Sequence, residues 1–343
     1  MKALYYERFG GPVEVAELAD PAVPDGGAVI RVEASGLCRS DWHAWAGHDD
    51  SVALPHVPGH EFAGVVEAVG AGVSRWRPGD RVTAPFVNGC GECEWCRAGQ
   101  AQVCPEQTQP GFTHWGSHAE LVAVRAADTN LVRVPDDLSA DAAASLGCRF
   151  ATAYRAVTAR ARIRLGEWLA VYGAGGVGLS AVMVASALGA RVVAVDRSPA
   201  ALDLAARLGA EHTVVAAADT ADRVRDLTNG GAHATIDAVG SPDTATTAVR
   251  SLRRLGRHVQ VGLLAAAVPE LPLDRVIGWE LEILGSHGMA AAAYPEMLDL
   301  VAAGRLTPQQ LVGGAVGFAE AAHLLETADT APPTGIAVLH PAG

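Results

Sequence analysis

The sequence predicts an α/β protein of two domains, a mainly-β unit followed by a doubly wound parallel sheet. Three observations carry this. The texture changes near Asp141, from short extended segments broken by Gly and Pro to apolar strands alternating with Ala-rich helices. A glycine-rich turn, Gly173-Ala174-Gly175-Gly176-Val177-Gly178, lies between a strand and a helix of the second texture. Four of the six cysteines fall in one 15-residue run of the first. A chain of 343 residues suffices for two domains with a large core.

In the first half, segments 28–34, 61–69 and 121–124 read as strands. Turn signals separate them: Pro24-Asp25-Gly26-Gly27, Val57-Pro58-Gly59 and Arg77-Pro78-Gly79-Asp80. Beyond residue 141, strands are expected at 168–172, 191–195, 235–238 and 257–261, and helices at 178–188, 199–208 and 243–252. Such alternation implies a parallel sheet covered on both faces. Helices follow at 294–303 and 319–327. An apolar strand at 335–339 closes the chain and is expected to return to the first domain.

Half of the residues are hydrophobic and 19% are charged, the balance of a soluble globular chain. Residues 1–20 hold Lys2, Glu7, Arg8, Glu14 and Glu17, so no signal peptide is expected there. No apolar run reaches the ~20 residues of a membrane span, so no membrane partner is expected. The expected compartment is cytoplasmic, where thiols stay reduced and free to bind metal. A net charge of −12 without a basic block argues against a nucleic-acid partner. Lys2 is the sole lysine, which argues against a lysine nucleophile.

Cys90, Cys93, Cys96 and Cys104 bring four thiols into one loop, with Gly89, Gly91 and Gly99 between them as turning points. Four thiolates suit one tetrahedral Zn²⁺ in a closed, structural site. The alternative is a pair of disulfides, which the size of the chain and the missing signal peptide disfavour.

Gly173, Gly175 and Gly178 match G-x-G-x-x-G in the required setting: strand before, helix after, and a second strand ending in Asp196. The first glycine permits the tight turn, the second the approach of a pyrophosphate, the third close helix–strand packing. The helix N-terminus offers free N–H groups to phosphates, with Gly176 and Val177 in the turn that leads into it. Asp196 suits the two ribose hydroxyls of NAD and repels the 2′-phosphate of NADP; Arg197 works the other way. NAD is therefore expected over NADP.

Two cysteines remain, Cys38 and Cys148. With His60 they supply S, N and S and leave a fourth tetrahedral position open, as a catalytic zinc needs. At this point the chain resembles the zinc-dependent alcohol dehydrogenases of the medium-chain dehydrogenase/reductase family. The likeness rests on Gly36-Leu37-Cys38-Arg39-Ser40-Asp41-Trp42-His43, Gly59-His60-Glu61, Gly79-Asp80-Arg81-Val82, the four-cysteine loop, Cys148 and the dinucleotide fingerprint. It runs almost end to end. The Cys₂His set is the known one of alcohol dehydrogenases.

The resemblance implies a GroES-like mainly-β catalytic domain, 1–150 completed by 288–343, and a Rossmann domain, 151–287, with the active site in the cleft between them. It implies two zinc ions per subunit, one catalytic and one structural. Glu61 is implied as a transient ligand and Asp41 as the outer partner of His60. Ser40 is implied to hydrogen-bond the substrate oxygen, and His43 to pass its proton on through the nicotinamide ribose. Thr152 and Val177 are implied to press on the nicotinamide ring, and Phe86 to line the substrate channel. Homo-oligomers are usual, tetramers more than dimers.

His43 read alone is a surface histidine; the motif makes it a relay. His48, His56, His114 and His118 read as solvated loop residues, His56 and His114 bordering the cleft at most. His287 reads as a contact for substrate or a neighbouring subunit. Trp42, Trp45 and Trp115 fit either an apolar pocket or the core. Two departures stand out. Relatives carry a basic residue near the C-terminal strand that reaches towards the pyrophosphate and the surroundings of the zinc; here Thr334-Gly335-Ile336-Ala337-Val338 places Ile336 there, so cofactor affinity and the setting of Glu61 are expected to differ. Ser40 replaces the threonine of many relatives.

The expected activity is hydride transfer between a primary or secondary alcohol and NAD, giving aldehyde or ketone. A polyol, L-threonine or formaldehyde-adduct dehydrogenase of the same family is the alternative. A non-catalytic cofactor-binding protein is a third reading, which Ser40 and His43 disfavour.

Overall fold

Strand Ala28–Gly36, central to the first unit, is buried at both ends and alternates only in its middle, with Ile30, Val32 and Ala34 inside and Arg31 exposed. The computed structural model describes residues 1–264, 268–330 and 335–342. It divides into two compact units, Met1–Ala151 with Gly288–Asp299 and Pro308–Gly343, and Thr152–His287 with Leu300–Thr307.

The first unit holds a seven-stranded, largely antiparallel sheet. Its order is Val312–Val316, Ile336–Leu339, Ala28–Gly36, Glu61–Val69, Arg81–Thr83 and Val132–Arg133, with Leu121–Val124 also paired to Ala28–Gly36. Ile30, Val32, Phe62, Val66, Trp76, Val82, Val122 and Val124 form its core. Ile336–Leu339 returns as expected and pairs antiparallel with Ala28–Gly36, Val338 facing Gly36. Thr334 lies outside the described residues. On the other side Gly36 faces Glu61. That register places the end of one strand beside the start of the next, where His60 and Glu61 stand.

The second unit holds six strands, all parallel. The order is His212–Val215, Arg191–Asp196, Trp168–Tyr172, Ala232–Asp237, Leu252–Gln260 and Glu282–Gly285. Order reverses at Trp168–Tyr172, and dinucleotides bind beyond the strand ends at such a switch point. Helices Pro199–Arg207 and Pro242–Arg250 start alike: Ser198 and Ser241 accept from the N–H three residues on, and proline follows. Each cap is worth about 1 kcal/mol.

Several expectations are corrected. The helix placed at 178–188 is Gly176–Ala187, and the strand placed at 257–261 is Leu252–Gln260. Strands His212–Val215 and Glu282–Gly285 and helices Thr220–Leu227 and Leu273–Trp279 escaped the sequence reading. That reading gives all of 288–343 to the first unit; Leu300–Thr307 packs with the second. There Arg305 donates to the Ala187 carbonyl and Leu306 is buried. No helix among the described residues is long and apolar enough to cross a membrane.

Candidate active site

Four residues from three places in the first unit converge. Cys38 caps helix Arg39–Trp45, His60 and Glu61 open strand Glu61–Val69, and Cys148 lies in the wide turn Leu146–Phe150. Their ligand atoms all lie within 4.8 Å of one another. Wide helical turns of this kind gather at functional sites. Tyr294 braces this one by donating to the Leu146 carbonyl at 3.0 Å.

Asp41 ties the site together. One carboxylate oxygen accepts from His60 Nδ1 at 2.8 Å and from the Gly59 N–H at 3.1 Å. The other accepts from the Cys38 N–H at 2.8 Å. Burial raises the Asp41 pKa, but the charges of His60 and His118 outweigh it and hold the carboxyl well below its usual range. Burial likewise opposes protonation of His60, and the Asp41 charge and hydrogen bond overcome it, raising its pKa. With Nδ1 fixed, His60 Nε2 is left buried with no hydrogen-bond partner. An orphaned imidazole nitrogen beside two thiols is the donor set of a Cys₂His zinc site, so these residues fit the ion. Its hydrogen bond with Cys148 holds the Cys38 thiol below the usual range, and the same contact, with burial, pushes Cys148 up.

Phe86 and Phe112 flank the imidazole, at ring-centroid distances of 6.1 Å and 5.2 Å. Ser40 is half-buried one turn before His43 on helix Arg39–Trp45, which sets both on one side of it. His43 Nδ1 lies 3.1 Å from His48 Nδ1. Burial, then the Arg39 charge, lowers the His43 pKa, keeping the ring neutral near pH 7.

The four-cysteine loop also closes. Its sulfurs lie within 4.8 Å of one another, Cys93 and Cys104 at 3.7 Å. Four bonds of 2.3 Å to one tetrahedral ion require edges of about 3.8 Å. All six cysteines are free, so the disulfide alternative falls. Backbone N–H groups of Cys90, Cys93 and Cys96 point at Cys104, Cys90 and Cys93 sulfurs at 3.4 Å. Those of Glu92 and Cys93 lower the Cys90 pKa to about 7.

In the second unit Tyr172 runs into the glycine turn. A Cβ on Gly178 would meet the Gly173 carbonyl at 1.7 Å, so helix Gly176–Ala187 packs against the turn only with glycine there. Gly175, its N-cap, has open space instead and supplies no side chain to the first N–H groups. These features fit a pyrophosphate. Asp196 accepts from the N–H of Ala174 at 2.6 Å and of Ser198 at 2.8 Å. Arg197 is exposed, Val177 half-buried, and Thr152 buried with its Oγ1 unpartnered.

Two family models match this chain: an alcohol dehydrogenase GroES-like domain over residues 24–136, and a zinc-binding dehydrogenase over 176–303. An alcohol dehydrogenase of Geobacillus stearothermophilus is 37% identical over 310 residues, covering 89% of this chain and 90% of its own. The chain belongs to the zinc-type alcohol dehydrogenase family. Among solved structures, alcohol dehydrogenase TADH from Thermus sp. ATN1 superposes with a TM-score of 0.91 at 34% identity, over 99% of both chains. An NAD-dependent alcohol dehydrogenase gives 0.88 at 32%, over 99% of this chain and 100% of its own.

Within this alcohol dehydrogenase fold, several histidines are not where their surface reading puts them. His118 is fully buried, with Nδ1 at 2.9 Å from Ser35 Oγ and Nε2 at 3.5 Å from Asp41 Oδ2. His56 is buried against Tyr6, and His114 Nε2 lies 3.1 Å from the Ala123 carbonyl. His48 is exposed as expected but pairs with His43. His287 is exposed in the second unit. Trp42 and Trp45 pack on the cluster that holds Leu4 and Leu325, whereas Trp115 packs on Ala3, Val57 and Ala119 and also lines a pocket with Leu54, Pro55 and His56. Phe112 and Arg149 escaped the sequence reading. Arg149 meets Glu61 with its backbone N–H at 2.9 Å and with Nε and Nη2. Burial pushes the Glu61 carboxyl up and the guanidinium opposes it; three donors on both oxygens mark an ionised carboxylate. Losing either partner strands a buried charge, at about 3–5 kcal/mol.

Proposed function

We propose that this protein is an NAD-preferring zinc alcohol dehydrogenase, interconverting a primary or secondary alcohol and its aldehyde or ketone. Each subunit would carry a catalytic zinc at Cys38, His60 and Cys148 and a structural zinc at Cys90, Cys93, Cys96 and Cys104. The observation that carries this is the orphaned His60 Nε2 facing two thiols. When bound, zinc acts as a Lewis acid toward the alcohol oxygen and the nicotinamide takes up hydride.

The chain's own groups do the rest. Asp41 fixes the His60 tautomer so that Nε2 stays a donor to metal. Ser40 holds the substrate oxygen and takes its proton; His43, neutral at working pH, accepts it next. The ribose route remains part of the proposal, and His48 gives His43 a second, exposed outlet. Phe86 and Phe112 make an apolar wall beside His60, which supports a hydrocarbon-bearing alcohol over a polyol. Asp196 with the free helix N-terminus supports NAD. Thr152 and Val177 would position the nicotinamide.

A cytoplasmic homo-oligomer, tetramer over dimer, completes the reading. Leu273, Ile277 and Ile283, exposed beside the open edge strand Glu282–Gly285, support association. The activity is tested by NADH absorbance with a panel of alcohols, NAD and NADP in parallel. Turnover abolished by a chelator and by His60→Ala is expected. Turnover that survives His60→Ala contradicts the assignment, and turnover confined to polyols or L-threonine reassigns the substrate.

A further inference from the structure

Glu61 stands within reach of both the metal-binding atoms and Arg149, and Arg149 engages both of its oxygens. Its oxygens accept the Arg149 backbone N–H at 2.9 Å, Nε at 2.9 Å and 3.0 Å, and Nη2. The pair is enclosed: Glu61 has no exposed surface and Arg149 has 8%. Space is kept for it, because a Cβ on Gly36 would meet Glu61 Oε2 at 2.7 Å and Arg149 Nη2 at 3.2 Å. The neighbouring strand offers no rival charge, since Ile336-Ala337-Val338-Leu339 is wholly buried and apolar. Arg149 follows Cys148 directly, so one turn supplies both a metal-binding thiol and the group that engages the carboxylate.

We infer that Arg149 is a positioning residue that holds Glu61 away from the catalytic metal and so keeps the fourth coordination position open for substrate. The inference rests on the reading of Cys38, His60 and Cys148 as the zinc site. One Glu61 oxygen already lies within 4.8 Å of the Cys38, His60 and Cys148 donor atoms, so a carboxylate released from Arg149 needs only a small shift to join them. A fourth protein ligand would close the site, as structural zinc sites are closed. The bidentate fork matters: a point charge engages one oxygen and leaves the other free.

The test uses Co²⁺ exchanged into the full-length protein, read by its absorption bands and by metal release to a chelator. The His60→Ala spectrum is subtracted to remove the four-cysteine loop. With Arg149→Met the d–d bands are expected to move and release to slow about 10-fold, the scale on which outer partners tune metal sites. Glu61→Gln added to Arg149→Met restores wild-type bands and release. An Arg149→Met spectrum and release rate equal to wild type overturns the inference, as does a double variant that still behaves like the single one. If Arg149→Met does not fold, Arg149→Lys is read instead; a shift in the same direction supports the role and an unchanged site refutes it. Wild-type protein whose cobalt spectrum matches that of His60→Ala fails earlier, at the zinc reading itself.

Discussion

His60 uses its two ring nitrogens for different ends. Nδ1 is committed to Asp41 at 2.8 Å, and the same carboxylate binds the Cys38 N–H, so one buried side chain aligns two of the three donors. His43 is organised for a different task. It shares helix Arg39–Trp45 with Asp41, but burial and the Arg39 charge lower its pKa from the ordinary histidine value of 6.5. It therefore stays an acceptor down to a pH below 6.5. His43→Ala should slow alcohol oxidation at least about 10-fold at pH 7. The loss should shrink as pH rises, because solvent then accepts the proton unaided. A rate equal to wild type at pH 7, or a deficit that grows at high pH, contradicts the relay.

At the scale of elements, what could be read from sequence was what local spacing controls. Cys90 to Cys104 lie in one loop, Cys38 and Asp41 in one helical turn, and Gly173 to Gly178 in one strand-to-helix turn. Arg149 could not be read so, because its partner Glu61 is 88 residues away and only the packing of the turn Leu146–Phe150 against strand Glu61–Val69 brings them together. Buried His118 escaped for the same reason; its neighbours are Ser35 and Asp41. Strand His212–Val215 has Val214 as its one fully buried residue, and Glu282–Gly285 has none, so neither shows an apolar run. Both are edge strands. The Glu282–Gly285 edge, with Ile277 at 79% exposure nearby, is where association is expected. Ile277→Glu should lower the mass in sedimentation equilibrium without changing the far-UV spectrum. An unchanged mass contradicts association through this edge.

Over the whole molecule, the chain assembles two chemistries from separate units. The first unit draws on both ends of the sequence, since Ile336–Leu339 pairs with Ala28–Gly36 and Tyr294 braces the Cys148 turn. The second is a single parallel sheet whose order reverses where the glycine turn begins. Both halves of the predicted class are present. The sequence reading was least reliable where one unit borrows chain from another part of the sequence, as at Leu300–Thr307. The account stands on metal at Cys38, His60 and Cys148. Anomalous diffraction at the zinc edge, on crystals of zinc-replete protein, measures that directly. Two peaks per chain are predicted, one bonded to the two sulfurs and His60 Nε2 and the other to the four cysteines of the loop. A single peak, in the loop alone, would contradict the account.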